Sequence, residues 1–377
     1  MTGSIDRRTL LLGALTGAGL VLTGCSDDAP AASAAGSPST PPSPTPSTPT
    51  ADTRPRWPLT GKLLKDPAAA KHAAVAVKVP DNRREHPQVG LDKADIVFVE
   101  LDGYRDSSGY SSTRLMPVFH SRMPDDVAPV RSVRPVDVPL LSPINAIVGN
   151  TGATGWVGNY VKHYGADVEG MLTYMATKGS GSYSIDPARV RTYQGVTYYD
   201  RAVVCHPTVL AKQTKKFRQG PPAPYFPFAA TDAEVSTAAG KDARAVKVPW
   251  KRGDSYDMGY TYDEKSGRYL RSMPWGKHVL ANGTRVATDN VLVILATQRY
   301  GKIYAGRGGV EPVHEIIDAT GTFYYVHGGT YVTGTWAKGA VDKLFTFTLA
   351  DGSPLKMAPG QTYVELPQKN AKIRITG

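Results

Sequence analysis

The apolar positions of this chain fall into short runs far more often than into helical stripes. Asp95 to Leu101 reads DIVFVEL, apolar at nearly every position, which predicts a strand covered on both faces. Thr113 to His120 is its expected hairpin partner across the polar Gly103–Tyr110 loop, and Pro117 inside it argues for an edge position or a bulge. Upstream, Ala73 to Val79 forms a short apolar run closed by Pro80-Asp81-Asn82, a strand and a turn. Downstream, Pro135 to Leu141 opens a helix, Ala146-Ile147-Val148 is a buried strand, and Thr154–Tyr164 and Pro207–Phe217 carry amphipathic periodicity. Lys212, Lys215, Lys216 and Arg218 suit the C-terminal end of the last helix.

Beyond the proline cluster Gly220-Pro221-Pro222-Ala223-Pro224 the texture changes. Strand patterns follow one another at Ala245–Pro249, Ser255–Tyr262, Val291–Ala296, Thr322–Val326, Tyr331–Trp336, Leu344–Leu349 and Thr362–Leu366. Glycine-bearing turns separate them, among them Val326-His327-Gly328-Gly329-Thr330. The expected fold class is α+β, with a mixed α/β layer domain over 57–220 followed by a smaller β-rich domain over 221–377.

The first 56 residues follow another logic. Asp6-Arg7-Arg8 precedes an apolar run to Leu22 that is short and glycine-rich for a membrane span, and Leu22-Thr23-Gly24-Cys25 has the form of a lipobox. These features predict a signal peptide over 1–24, twin-arginine in style, and a lipidated, palmitate-bearing Cys25. Residues 25–56 are dominated by Ala, Ser, Thr and Pro and cannot bury a core, so they read as a spacer between membrane and folded chain. The expected location is the outer face of the cell membrane.

Composition adds a net charge of +11 and two cysteines, Cys25 and Cys205. With Cys25 lipidated, no disulfide or Cys-x-x-Cys site remains, and Cys205 reads as a small core residue. The basic surplus is scattered, with no nucleic-acid-binding module, and export puts the chain in the wrong compartment for nucleic acid. An anionic or carbohydrate-containing wall component, such as an anionic wall polymer or peptidoglycan, suits the charge and the location, and an Arg-rich cleft in the first domain is the expected site.

The segments Gly90–Val97 with Glu100, Thr113-Arg114 and Pro129-Val130-Arg131-Ser132-Val133-Arg134-Pro135 together resemble the YerB-like lipoprotein family of bacteria. Tyr269–Arg271, Asp289-Asn290-Val291, Gly334-Thr335-Trp336 and Asp351–Pro354 with Pro359–Thr362 extend the resemblance into the second half. It implies an exported, lipid-anchored envelope protein and supplies no activity. The chain departs from the pattern at Asp106–Gly109, which lengthens a loop, and at Cys205-His206-Pro207, where the family tends to Pro-His-Asn.

Arg114, Arg131, Ser132 and Arg134 are the candidate ligand-binding residues, since guanidinium groups beside backbone N–H donors suit carboxylate or phosphate. The alternative is that these arginines pair with Asp95, Glu100 or Asp137 and hold the domain together. His120, Glu100 and His206 are the candidate acid–base groups of a hydrolase or transferase acting on a wall glycan or phosphopolymer. A third reading is a structural partner of another envelope protein. There is no G-x-S-x-G, P-loop, S-x-x-K with its partner motifs or helix-spaced histidine pair, and neither a metal nor a cofactor is expected.

Overall fold

The computed structural model describes residues 53–105, 111–164, 171–199, 201–214, 220–250, 256–299 and 311–377. The signal segment, Cys25, the expected spacer up to residue 52, the Asp106–Gly109 insertion, and Lys215, Lys216 and Arg218 of the expected Pro207–Phe217 helix lie outside them.

Twelve strands make one mixed sheet: β1 (Val75–Val77), β2 (Val79–Pro80), β3 (Ile96–Arg105), β4 (Ser111–Phe119), β5 (Ile147–Asn150), β6 (Met171–Thr173), β7 (Lys241–Asp242), β8 (Asn290–Ile294), β9 (Ala319–His327), β10 (Thr330–Lys338), β11 (Phe345–Leu349) and β12 (Thr362–Glu365). Their order is β7-β10-β9-β8-β12-β3-β4-β1-β5-β6, with β2 also on β4 and β11 also on β10. The sheet therefore takes strands from both sides of residue 220. β3, the DIVFVEL strand, lies at that seam, parallel to β12 on one side and antiparallel to β4 on the other. Ile96, Val97, Phe98 and Val99 are fully buried, each contributing about 1.5–3 kcal/mol by the usual transfer scale.

β4 is an interior strand rather than an edge. Pro117 is accommodated as a gap: Phe119 and Val118 pair with β1, Leu115 and Arg114 with β2, and one register holds on both sides. A proline cannot donate to the ladder, so the β1–β2 run breaks opposite it without shifting. Between the two short strands, Lys78 turns its backbone away from β4, donating to the Gly149 carbonyl and accepting from the Arg131 N–H.

The helices are few and short: α1 (Asp137–Leu141), α2 (Gly155–Tyr164) and α3 (Pro207–Leu210), the last followed by a 3₁₀ turn. Gly328 and Gly329 close the β9–β10 hairpin, both at positive φ (61° and 82°), which explains the Gly-Gly pair in a two-residue turn. A second, six-stranded sheet built on Ala245–Pro249, Asp257–Asp263 and Arg268–Met273 joins the first through Glu365 of β12. That carboxyl accepts from the Tyr260 hydroxyl at 2.5 Å and the Trp250 indole at 2.7 Å. One hydrophobic cluster runs from Leu59 to Leu366, and Thr50–Gly377 is a single compact unit. The class is α+β, with several sheets and few helices. No helix among the described residues is long and apolar enough to cross a membrane.

Candidate functional site

The far end of the β3–β4 hairpin gathers the arginines. In register Arg114 stands opposite Glu100, yet its guanidinium reaches past that residue to Asp102, 2.7 Å away, and to the Ser132 carbonyl. Arg134 grips the same residue twice, through Nε to the Asp102 carbonyl and through a terminal nitrogen to its carboxylate, both at 2.6 Å. Burial would raise the Asp102 carboxyl, but Arg114 and Arg134 outweigh it and hold the group below the usual range. Arg114 in turn is lowered to about 10, chiefly by burial and then by Arg134.

Beside this pair lies a second focus, around Glu85. Its buried carboxylate accepts from Arg131 at 2.5 Å and stands 3.4 Å from Arg201. Arg189 donates to the Glu85 and Pro87 carbonyls, and Arg83 and Arg84 are exposed in the same turn. The Arg131 and Arg201 side chains remain 23% and 18% accessible. The Ser132 hydroxyl is 3.5 Å from that of Thr151, whose N–H donates to the Arg131 carbonyl. The structure thus brings Arg114, Arg131, Ser132 and Arg134 together, with arginines outnumbering carboxylates at the surface. Of the expected ion-pair partners, Asp137 takes from these arginines the Arg134 backbone N–H, at 2.7 Å, and its other oxygen accepts from Lys78.

Glu100 sits beneath this group. It shares the fully buried Lys78 ammonium with Asp137, 2.8 Å from the lysine. Burial, reinforced by Asp137, raises Glu100 to about 8. With no path to solvent, it is placed to hold a proton rather than to pass one to a ligand.

His120 lies elsewhere, at the other end of β4, six residues from Arg114 or about 20 Å along the strand. It is 1% exposed, its Nε2 donates to the Ala70 carbonyl at 3.1 Å, and its ring packs against Trp57 and His72. Burial, and then His72, lowers it to about 4.

His206 is separate again and better equipped. Its Nδ1 is 2.7 Å from the Asp126 carboxylate and its Nε2 is 2.9 Å from the Ser184 hydroxyl. An ionised carboxylate only accepts, so in the neutral ring Nδ1 carries the proton and Nε2 accepts from Ser184. The neighbouring Cys205 thiol is buried, and that burial pushes it well above its ordinary range.

Asp81, His86 and His278 place one potential metal-ligand atom each within 4.8 Å of one another. Their lone pairs are already engaged. His278 accepts from Arg271 at Nδ1 (2.8 Å) and meets the Gln88 carbonyl at Nε2 (2.9 Å), and the Arg271 guanidinium, 2.8 Å from Asp81, opposes a cation. This donor set does not suit a metal.

Asp102, Glu85, Arg189, Arg201, Asp126 and Ser184 went unnoticed in the sequence. The β3–β4 register could have drawn attention to Asp102, two residues past the partner of Arg114; the others come from loops that only the fold brings together.

Family models for the N-terminal and C-terminal domains of DUF3048, described as a protein of unknown function, match residues 59–204 and 246–364. YerB of Bacillus subtilis (strain 168), whose name proposes a lipoprotein, is 26% identical over 333 residues, covering 82% of this chain and 85% of its own. The crystal structure of YerB protein from Bacillus subtilis superposes with a TM-score of 0.66 at 21% identity. That match covers 85% of this chain and 100% of that one, and is a likeness of fold.

Proposed function

The chain belongs to the DUF3048 family, and from that premise we propose that it is an exported, lipid-anchored envelope protein that binds an anionic group of a wall polymer. The lipoprotein name of its relative and the Leu22–Cys25 lipobox support the location. The arginine face supports the ligand class. Arg131 and Arg201 converge on the single buried carboxylate of Glu85 while keeping accessible surface, and Arg83, Arg84 and Arg189 surround them. Planar guanidinium groups fixed by such partners are suited to a bidentate phosphate or carboxylate.

Calorimetric titration of the purified protein with a polyol-phosphate wall polymer, and separately with peptidoglycan, tests this. Wild-type binding should weaken in Arg131→Lys, which keeps the charge and loses the fork. If neither polymer binds, or if Arg131→Lys and Arg201→Ala both behave as wild type, the reading fails.

A second reading, a hydrolase, draws on Ser184–His206–Asp126, an arrangement of nucleophile, base and orienting carboxylate. Ser184 Oγ would attack an acyl ester of a wall polymer while His206 Nε2 takes the hydroxyl proton. His206 would return that proton to the departing alcohol, and water would then release the acyl group. Covalent labelling by a fluorophosphonate in wild type, absent in Ser184→Ala, is the expected result. Equal labelling of both proteins removes this reading.

A further inference from the structure

At the start of β3, about 20 Å along the strand from the arginines, lies a cleft of about 490 Å³ to which both halves of the chain contribute. The parallel strands β8, β12 and β3 all begin there, through Asp289, Gln361 and Asp95. Its volume falls within the range of small-molecule sites. Gln361 forms part of its wall, tied by its side-chain amide to the Ala94 carbonyl at 2.6 Å and to Arg268 at 3.0 Å.

Three cations, Lys62, Arg122 and Arg268, face three carboxylates, Asp92, Asp95 and Asp289. Asp289 pairs with Arg268 at 3.1 Å and with Lys62 at 3.3 Å. An anion entering here would meet as much repulsion as attraction, in contrast to the Glu85 face. Two half-buried hydrogen-bonding groups in the lining have no partner among the described residues: the Asp92 carboxylate, an acceptor, and the Trp57 indole N–H, a donor. The indole is braced edge-to-face against His120, ring centres 5.3 Å apart, so it presents a fixed aromatic surface. A balanced charge set, an open acceptor, an open donor and a fixed aromatic wall match a ring with hydroxyl groups at its rim and C–H bonds on its face.

We propose that this cleft binds a neutral pyranose of a wall glycan, as a second site independent of the anion-binding face. Asp92 accepts from ring hydroxyls, Trp57 stacks on the sugar and donates from its indole, and Arg122 borders the open side.

The test is titration of the full-length protein, in detergent, with a neutral β-linked amino-sugar tetramer, with a linear polyol and with inorganic phosphate. The tetramer should bind with a dissociation constant between micromolar and millimolar. Asp92→Asn should weaken it about tenfold, and Trp57→Leu more, while Arg131→Lys leaves it unchanged. Phosphate should not displace the sugar, and the linear polyol should bind more weakly. Should Trp57→Leu fail to fold, Asp92→Asn, an isosteric change at a half-buried group, carries the test alone. No sugar binding at millimolar concentration, unaltered binding in Asp92→Asn, or displacement by phosphate would each overturn the proposal. Because Arg131→Lys separates the two sites, loss of one leaves the other standing.

Discussion

Asp81 and Arg271, 190 positions apart, meet as a fully buried ion pair at 2.8 Å and fasten the turn after β2 to the Arg268–Met273 strand of the second sheet. Thr113 donates to the same carboxylate at 2.9 Å, and His278 and Gln88 complete the surrounding network. Burial would raise Asp81, but the Arg271 charge, together with the hydrogen bond and charge of His86 and the hydrogen bond from Arg271, outweighs it and holds the carboxyl well below its ordinary value.

Arg271→Met should therefore destabilise the protein by about 3–5 kcal/mol, because it strands a buried charge. Adding Asp81→Asn should recover much of that loss. The sign with pH follows from the depressed folded value: the pair's stabilisation is present above the unfolded value of 3.8 and is lost as the solution is acidified below it. Urea denaturation from about pH 2 to 6 should show a steep loss below about pH 4 in wild type and a shallower one in the double variant.

Glu100 has the opposite sign. Its folded value, about 8, lies above its unfolded value of 4.5, so its protonated form favours the folded state. That contribution is complete below pH 4.5 and is lost as pH rises through 8. Glu100→Gln, which mimics the protonated acid, should flatten the pH dependence of the urea midpoint over this interval. Identical profiles for the two proteins would mean that Lys78 keeps Glu100 ionised.

Two strand glycines should respond differently to alanine. A Cβ at Gly334 in β10 would stand 2.0 Å from the Thr348 carbonyl of β11, a backbone atom that cannot swing aside. Gly334→Ala should cost at least about 1–3 kcal/mol. At Gly259 the nearest atom would be 3.6 Å away, so Gly259→Ala should be neutral or slightly stabilising. Thermal midpoints of the two variants decide this.

Binding at the Arg131 face should weaken as salt rises, since its donors are partly accessible and screened. Arg201→Ala should lower anion affinity roughly ten- to hundredfold, the value of a charge-assisted hydrogen bond, and should reduce the slope against salt concentration. Calorimetry at 50 and 300 mM salt gives both quantities.

The β3–β4 hairpin and, after residue 240, the longer strands other than Arg268–Met273 were legible because each is a local pattern bounded by its own turns. The β3–β12 pairing was not. β12 reads only Thr-Tyr-Val-Glu, too short a pattern to name a partner, and a parallel neighbour leaves no turn to mark it. The arginine cluster was legible as a group, but its partners were not: Arg114 faces Glu100 in register, and only the fold reveals that Lys78 already holds that carboxylate. The expected acid–base set divided for a similar reason. Glu100 pairs opposite Arg114 near the start of β4 while His120 stands just past its end, and strand geometry alone keeps them about 20 Å apart.

The seam between β3 and β12 also sets the order in which the molecule can be made. Gln361, which begins the β12 side, bonds to a carbonyl 267 positions earlier, so a ribosome has almost finished the chain before β3 can acquire its parallel neighbour. Until then the apolar Ile96–Val99 stretch of β3 has one bare edge, ready to pair with another chain. Such long-range closure makes for slow folding, and a nascent chain of this kind depends on being kept from its neighbours until its late strand arrives.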